Sequence, residues 1–218
     1  MVALATPTAA RAEERVLAPK QENVNIHAYR GIAIFSVRDG SAYTLVASTA
    51  GGAPQPVNVP AQSTPSDADI GRGPNGKPTI VLRVCHGASC GLSLLAMDGS
   101  APKPTGIKVP HANVRPTLWD KTIAWYEHGG VRTQTRTLTS VAKGTRVLGL
   151  DLYGRHLALN LNVANPDAGV CGTREIRLLK LGEKNAHLIG RQTCGLDGQT
   201  FNGPSFDAGW LYLSLIHI

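Results

Sequence analysis

The chain has 218 residues, 42% of them apolar and 17% charged, with a formal net charge of +7 at pH 7. That is too apolar for an intrinsically disordered protein, and no apolar run is long enough to cross a bilayer as a helix. Its 24 glycines and 14 prolines imply many turns and few long helices, without the strict period of collagen.

Residues 1–12 (MVALATPTAARA) are small and apolar and end in Ala10-Arg11-Ala12, the A-x-A pattern after which signal peptidase cuts. The stretch is short and lacks a basic start. It reads as the truncated remnant of an export signal with Glu13 as the mature start; a plain Ala/Thr-rich N-terminus is the alternative. The only helix-compatible stretch, 13–17, is too short to matter.

Five segments then repeat one pattern: a short extended stretch, a tight turn and an alternating apolar strand. They are 25–37 (NIHAYRGIAIFSV), 69–84 (DIGRGPNGKPTIVLRV), 116–127 (PTLWDKTIAWYE), 150–163 (LDLYGRHLALNLNV) and 204–212 (PSFDAGWLY). Ile32, Ile80, Ile123, Leu157 and Leu211 correspond, at a mean spacing of about 45 residues, the length of one four-stranded propeller blade. Both faces of these strands are largely apolar, as a sheet packed between two neighbours requires. Material for two further strands follows the first four copies: 42–48 and 56–60, 91–97 and 107–110, 131–138 and 146–148, 175–181 and 186–192. Asp39-Gly40 and Asp98-Gly99 are hairpin signals.

The fold class is therefore all-β: an incomplete β-propeller of about four four-stranded antiparallel blades plus the first hairpin of a fifth. The expected units are 23–60, 66–110, 113–148, 149–194 and an incomplete 200–212, within a domain spanning 13–212. An open arc of this kind would leave a flat sheet face bare on each terminal blade and hold 13–22 loosely. Residues 213–218 (LSLIHI) match the translation of a transposase mosaic end used in sequencing libraries. They are expected to be non-native, with the natural chain continuing past 212; a genuine apolar strand is the alternative.

The cysteines are Cys85, Cys90, Cys171 and Cys194. An even count beside an export-like N-terminus favours disulfides, and sequence order favours Cys85–Cys90 and Cys171–Cys194. Zinc is the competitor, but no second ligand pair at zinc spacing follows Cys85 and Cys90.

The segment 66–85, continuing through Cys90-Gly91-Leu92 to Met97-Asp98-Gly99, resembles the repeat of bacterial exported TolB-type propellers. It is especially similar to secreted actinobacterial propellers in which a D-x-D-x-G … G-[KR]-P hairpin precedes a strand ending in Cys. Here Asp67-Ala68-Asp69-Ile70-Gly71 and Gly76-Lys77-Pro78 carry it, and 204–212 resembles the start of a later blade. The resemblance implies a fold and an extracytoplasmic compartment. It brings no catalytic residues across.

Two enzyme motifs occur in the wrong setting. Gly71-Arg72-Gly73-Pro74-Asn75-Gly76 satisfies G-x-G-x-x-G, but Lys77-Pro78 and a strand follow where a dinucleotide site needs a helix. Gly87-Ala88-Ser89-Cys90-Gly91 satisfies G-x-S-x-G inside a cysteine-closed hairpin, without the helix of a nucleophile elbow. Ser205-Phe206-Asp207 and Trp119-Asp120 read as turn chemistry. The seven histidines show no metal-binding spacing, so no metal or cofactor is expected.

Candidates for a site lie on the innermost strands: Asp67, Asp69, Thr117, Asp151 and Ser205, the last four corresponding in the repeat. A ring of such oxygens would hold a cation or waters near the axis, or would simply be solvated in a wet channel. The sequence leaves catalytic residues unknown. No block of five or more Lys/Arg marks a nucleic-acid face, and no transmembrane span is expected. The sequence points to a secreted, non-enzymatic binding scaffold for a protein or cell-envelope partner, monomeric at full length. The alternative is a propeller hydrolase or lyase acting on extracellular glycans or peptides.

Overall fold

The computed structural model describes residues 25–49, 52–164, 172–193, 199–207 and 210–217. The expected signal remnant, Cys171 and Cys194 lie outside the described residues. Eighteen strands and no helix are found among them, so no helix is long and apolar enough to cross a membrane.

The first blade is β1 (His27–Tyr29), β2 (Ile32–Asp39), β3 (Ala42–Thr49) and β4 (Gln55–Pro56); the second is β5 (Ala68–Arg72), β6 (Pro78–His86), β7 (Ser89–Ala96) and β8 (Lys103–Val109). The third is β9 (Thr117–Trp119), β10 (Thr122–Glu127), β11 (Gly130–Thr133) and β12 (Thr137–Ser140); the fourth is β13 (Arg146–Tyr153), β14 (His156–Val163), β15 (Thr173–Lys180) and β16 (His187–Thr193). A fifth unit contributes the hairpin of β17 (Gln199–Asp207) and β18 (Trp210–His217). Strands within each unit follow chain order and pair antiparallel. A single parallel bridge, Arg72 to Trp119, links the second and third blades along their inner strands.

The period-2 alternation works as inter-blade packing. On β6, Ile80 and Leu82 point to the first blade and join Tyr29, Ile34, Leu45 and Ile70. Val81, between them, points the other way and joins Leu92, Leu118, Ile123 and Trp125 of the second and third blades. Ala124 and Val131 meet Leu150, Leu152, Leu157 and Leu159 between the third and fourth. Neighbouring residues on one strand thus belong to different cores, which is why both faces read as apolar. The fold is a β-propeller.

Two sequence expectations shift. Residues 146–148 open the fourth blade as part of β13, pairing with β14 through Arg146–Asn162 and Val147–Leu161. The third blade closes earlier, because residues 131–138 break at a turn where the Thr133 N–H donates to the Arg136 carbonyl at 2.8 Å. In the first blade Ile32 pairs with Tyr29 and Ala33 with Ala28, so Ala33, not Ile32, is the equivalent of Ile80, Ile123, Leu157 and Leu211.

The ends of the expected arc meet at the axis. The inner strands run round in the order β1, β5, β9, β13, β17, and β17 lies against β1 as well as β13. Among the described residues the fifth unit contributes two strands. Leu213, Leu215, Ile216 and His217 pair with Pro204, Phe201, Thr200 and Gln199.

Candidate functional site

The four corresponding axial residues share a register with a fifth, His27. Each lies on an inner strand one position before the residue paired with Ala33, Ile80, Ile123, Leu157 or Leu211. At Thr117, Asp151 and Ser205 the side chain reaches to the following blade. Thr117 Oγ1 accepts from the Leu152 N–H at 2.9 Å, Asp151 Oδ2 accepts from the Phe206 N–H, and Ser205 Oγ donates to the Ala28 carbonyl at 3.2 Å. In all three the backbone partner sits one residue past the register on the next inner strand. The side chains act as staples between blades, and the Ser205 bond joins the fifth unit to the first.

His27 and Asp69 complete the circuit differently. His27 Nδ1 stands 2.9 Å from Asp69 Oδ1, within ion-pair range but without the alignment of a hydrogen bond. Asp69 is 1% exposed, and its Oδ2 has no hydrogen-bond partner among the described residues. Burial and then the Asp69 charge push the Asp151 carboxyl well above the usual carboxylate range, opposed by backbone N–H donors from Phe206 and Leu152. The axis therefore holds two carboxylates in each other's field, one of them favouring its proton.

Asp67 belongs to a separate node. It is buried, with Oδ2 accepting from the Val114 N–H at 2.6 Å and Oδ1 from the Arg115 N–H at 3.1 Å, across a sequence gap of 47 and 48 residues. Arg83 Nε lies 3.6 Å from Oδ2, and Arg83 also donates to the His111 carbonyl at 2.7 Å. The loop leading into the third blade is thus tied to the second. Arg115 takes a left-handed backbone (φ 46°) at this point, a costly conformation held by the two N–H bonds to Asp67.

Beside these residues a cleft of roughly 270 Å³ opens between the first three blades, where the inner strands begin. Asn25, His27, Thr64, Ser66, Asn113 and Arg115 give it polar walls, and Ile34 and Leu45 give it an apolar floor. At the opposite, hairpin end an aromatic chain runs from Tyr29 to Trp119 (5.9 Å between centroids), on to Tyr153 (4.1 Å) and to Phe206 (5.9 Å).

The remaining sequence candidates fall into place structurally. Cys85 and Cys90 form a disulfide across the β6–β7 hairpin. Ser89 opens β7 in that hairpin, with no helix after it. Gly71 permits the close approach of β9: a Cβ there would lie 2.0 Å from the Leu118 carbonyl oxygen. Among the described residues, the only grouping of three possible metal ligands is Cys85, Cys90 and His111, and both sulfurs are in the disulfide. Sequence reasoning missed His27, Arg115 and His111. Only His27 left a signal, in the match of His27-Ala28-Tyr29 to Asp151-Leu152-Tyr153.

No known protein family matches the sequence, and no curated protein does. Solved structures similar to it include a quinoprotein alcohol dehydrogenase-like protein from Bacteroides thetaiotaomicron, at 12% identity and TM-score 0.45 over 78% of this chain. The chain spans 45% of that protein's length. The SapL1 lectin in complex with α-methyl fucoside matches at 13% identity and TM-score 0.48, over 93% of this chain and 75% of the lectin. The GH43 endo-arabinanase from Bacillus licheniformis matches at 13% identity and TM-score 0.45, over 93% of this chain and 96% of the enzyme. These likenesses stop at the fold and transfer no residue role.

Proposed function

We propose that the chain is a non-enzymatic, exported β-propeller of the TolB type that presents its clefts and loops to a protein or cell-envelope partner. The observation that carries this reading is the engagement of the axial side chains: Thr117, Asp151 and Ser205 each bond the backbone of the next blade, and Asp67 is filled by the Val114 and Arg115 N–H groups. Groups so held organise the ring and are poorly placed to exchange protons with a substrate. The Cys85–Cys90 disulfide suits an oxidising compartment, and the net charge of +7 suits an anionic envelope. The export remnant at 1–12, the Cys171–Cys194 pair, the non-native tail at 213–218 and a monomeric state without nucleic-acid partners belong to the same proposal.

A second reading, a glycan or peptide hydrolase, draws on one observation: a proton-holding Asp151 beside the buried Asp69. One experiment separates the two. The full chain is incubated with cell-envelope fractions and with a panel of polysaccharides and peptides. Cosedimentation without turnover supports the scaffold. Turnover that disappears in Asp69→Asn overturns it.

A further inference from the structure

We propose that the cleft between the first three blades is a binding site for a small ligand carrying an oxyanion, with Arg115 as its anchor. The inference rests on the binding reading above and assigns a ligand chemistry to one place in the fold.

The donors around Arg115 are unbalanced. Among the described residues, Asp67 is the only carboxylate in ion-pair range of Arg115, at 3.9 Å, which is the outer limit of such a pair. The oxygens of Asp67 are already taken by two backbone N–H groups and faced by Arg83. Arg115 Nε is buried without a hydrogen-bond partner among the described residues, while the side chain as a whole keeps 24% exposure and lines the cleft. A guanidinium in that position has fork donors left over, and a carboxylate or phosphate matches them in geometry and charge.

The rest of the wall has the same bias. Asn25 and Asn113 bring amide groups, Thr64 and Ser66 hydroxyls, and Ser66 Oγ is buried with no partner among the described residues. His27 is 8% exposed, lines the cleft, and has an Nδ1 that is not aligned as a hydrogen bond to any described group. The negative groups behind the wall are Asp67, occupied as described, and Asp69, which faces His27. The apolar floor of Ile34 and Leu45 beneath polar walls is the usual make-up of a small-molecule pocket. Its volume of roughly 270 Å³ suits a single sugar-sized molecule rather than a polymer. Finally, the strained φ of 46° at Arg115, fixed through Asp67, sets where the guanidinium starts from.

The test uses the full chain and isothermal titration calorimetry with D-glucuronate, its uncharged counterpart D-glucose, and inorganic phosphate. The expected result is saturable binding of glucuronate or phosphate that weakens with added salt, and none of glucose. Which of the two anions binds identifies a carboxylate or a phosphate as the natural group. Arg115→Gln should lose at least about tenfold in affinity, and Asn113→Asp, an exposed substitution that sets a negative charge in the wall, should lose as much. The second variant decides the matter if the first does not fold. Glucose binding as well as glucuronate, no saturation by either anion up to about 10 mM, or unchanged affinity in Asn113→Asp overturns the inference. Envelope cosedimentation that survives alongside such a result leaves the scaffold reading standing, so the two failures are distinguishable.

Discussion

Asp67→Asn tests the idea that a buried carboxylate ties the loop before β9 to the second blade. The substitution keeps the volume and one acceptor oxygen but removes the charge facing Arg83, whose side chain is 7% exposed. Removing one partner of a buried pair leaves the other charge uncompensated, at a cost of about 3–5 kcal/mol. The new amide NH₂ also points a donor where the Val114 and Arg115 N–H groups and the Arg83 Nε already converge. For a chain of this size, the loss corresponds to a fall in Tm of roughly 6–20 °C. The assay is thermal and urea unfolding followed by far-UV circular dichroism. The double variant Asp67→Asn with Arg83→Met should recover part of the loss, because the stranded charge is then gone. An Asp67→Asn protein within about 1 kcal/mol of the parent, or a double variant no better than the single, would refute the reasoning.

Three further outcomes are expected. Asp151 has its carboxyl raised by burial and by Asp69, so the folded state holds its proton to higher pH than the unfolded chain does. Stability from this group is fully present at pH values below the ordinary carboxylate range and is lost as pH rises through the raised folded value. Asp151→Asn should therefore stabilise the protein at pH 7 and bring little gain at pH 3, read as Tm against pH; an equal effect at both would contradict the assignment. Thr117→Val leaves the Leu152 N–H without its acceptor at a site of 0% exposure and should cost about 1–3 kcal/mol in urea unfolding. Non-reducing peptide mapping should find Cys85 joined to Cys90, and replacing both by Ser should cost about 2 kcal/mol, the loop-closure value for so short a ring; free thiols at both positions would count against an exported protein.

What could be read from the sequence was whatever repeats. Inter-blade packing forces the same alternation on the second strand of every blade, so Ile80, Ile123, Leu157 and Leu211 announce the blades without any knowledge of the contacts between them. The same repetition placed Asp69, Thr117, Asp151 and Ser205 in one register, and the last three use it for bonds to the next blade. The slip at Ile32 arose because two adjacent apolar residues, Ile32 and Ala33, both fit the pattern, and only strand pairing chooses between them. It also hid His27, whose imidazole replaces an oxygen at that register. The Asp67 node and the cleft were not legible at all. They depend on a loop 47 residues downstream and on the left-handed turn at Arg115, neither of which has a periodic signature. For the same reason His111 gave no hint of lying beside the disulfide.

The ring itself is tested most directly by nuclear Overhauser contacts between inner strands in the isotopically labelled full chain. Cross-peaks are expected from Thr117 to Leu152, from Asp151 to Phe206 and, joining the fifth unit to the first, from Ser205 to Ala28. Cross-peaks from both Val81 and Leu82 to one and the same facing sheet, with none between Ser205 and Ala28, would show stacked sheets in place of blades around an axis and contradict it.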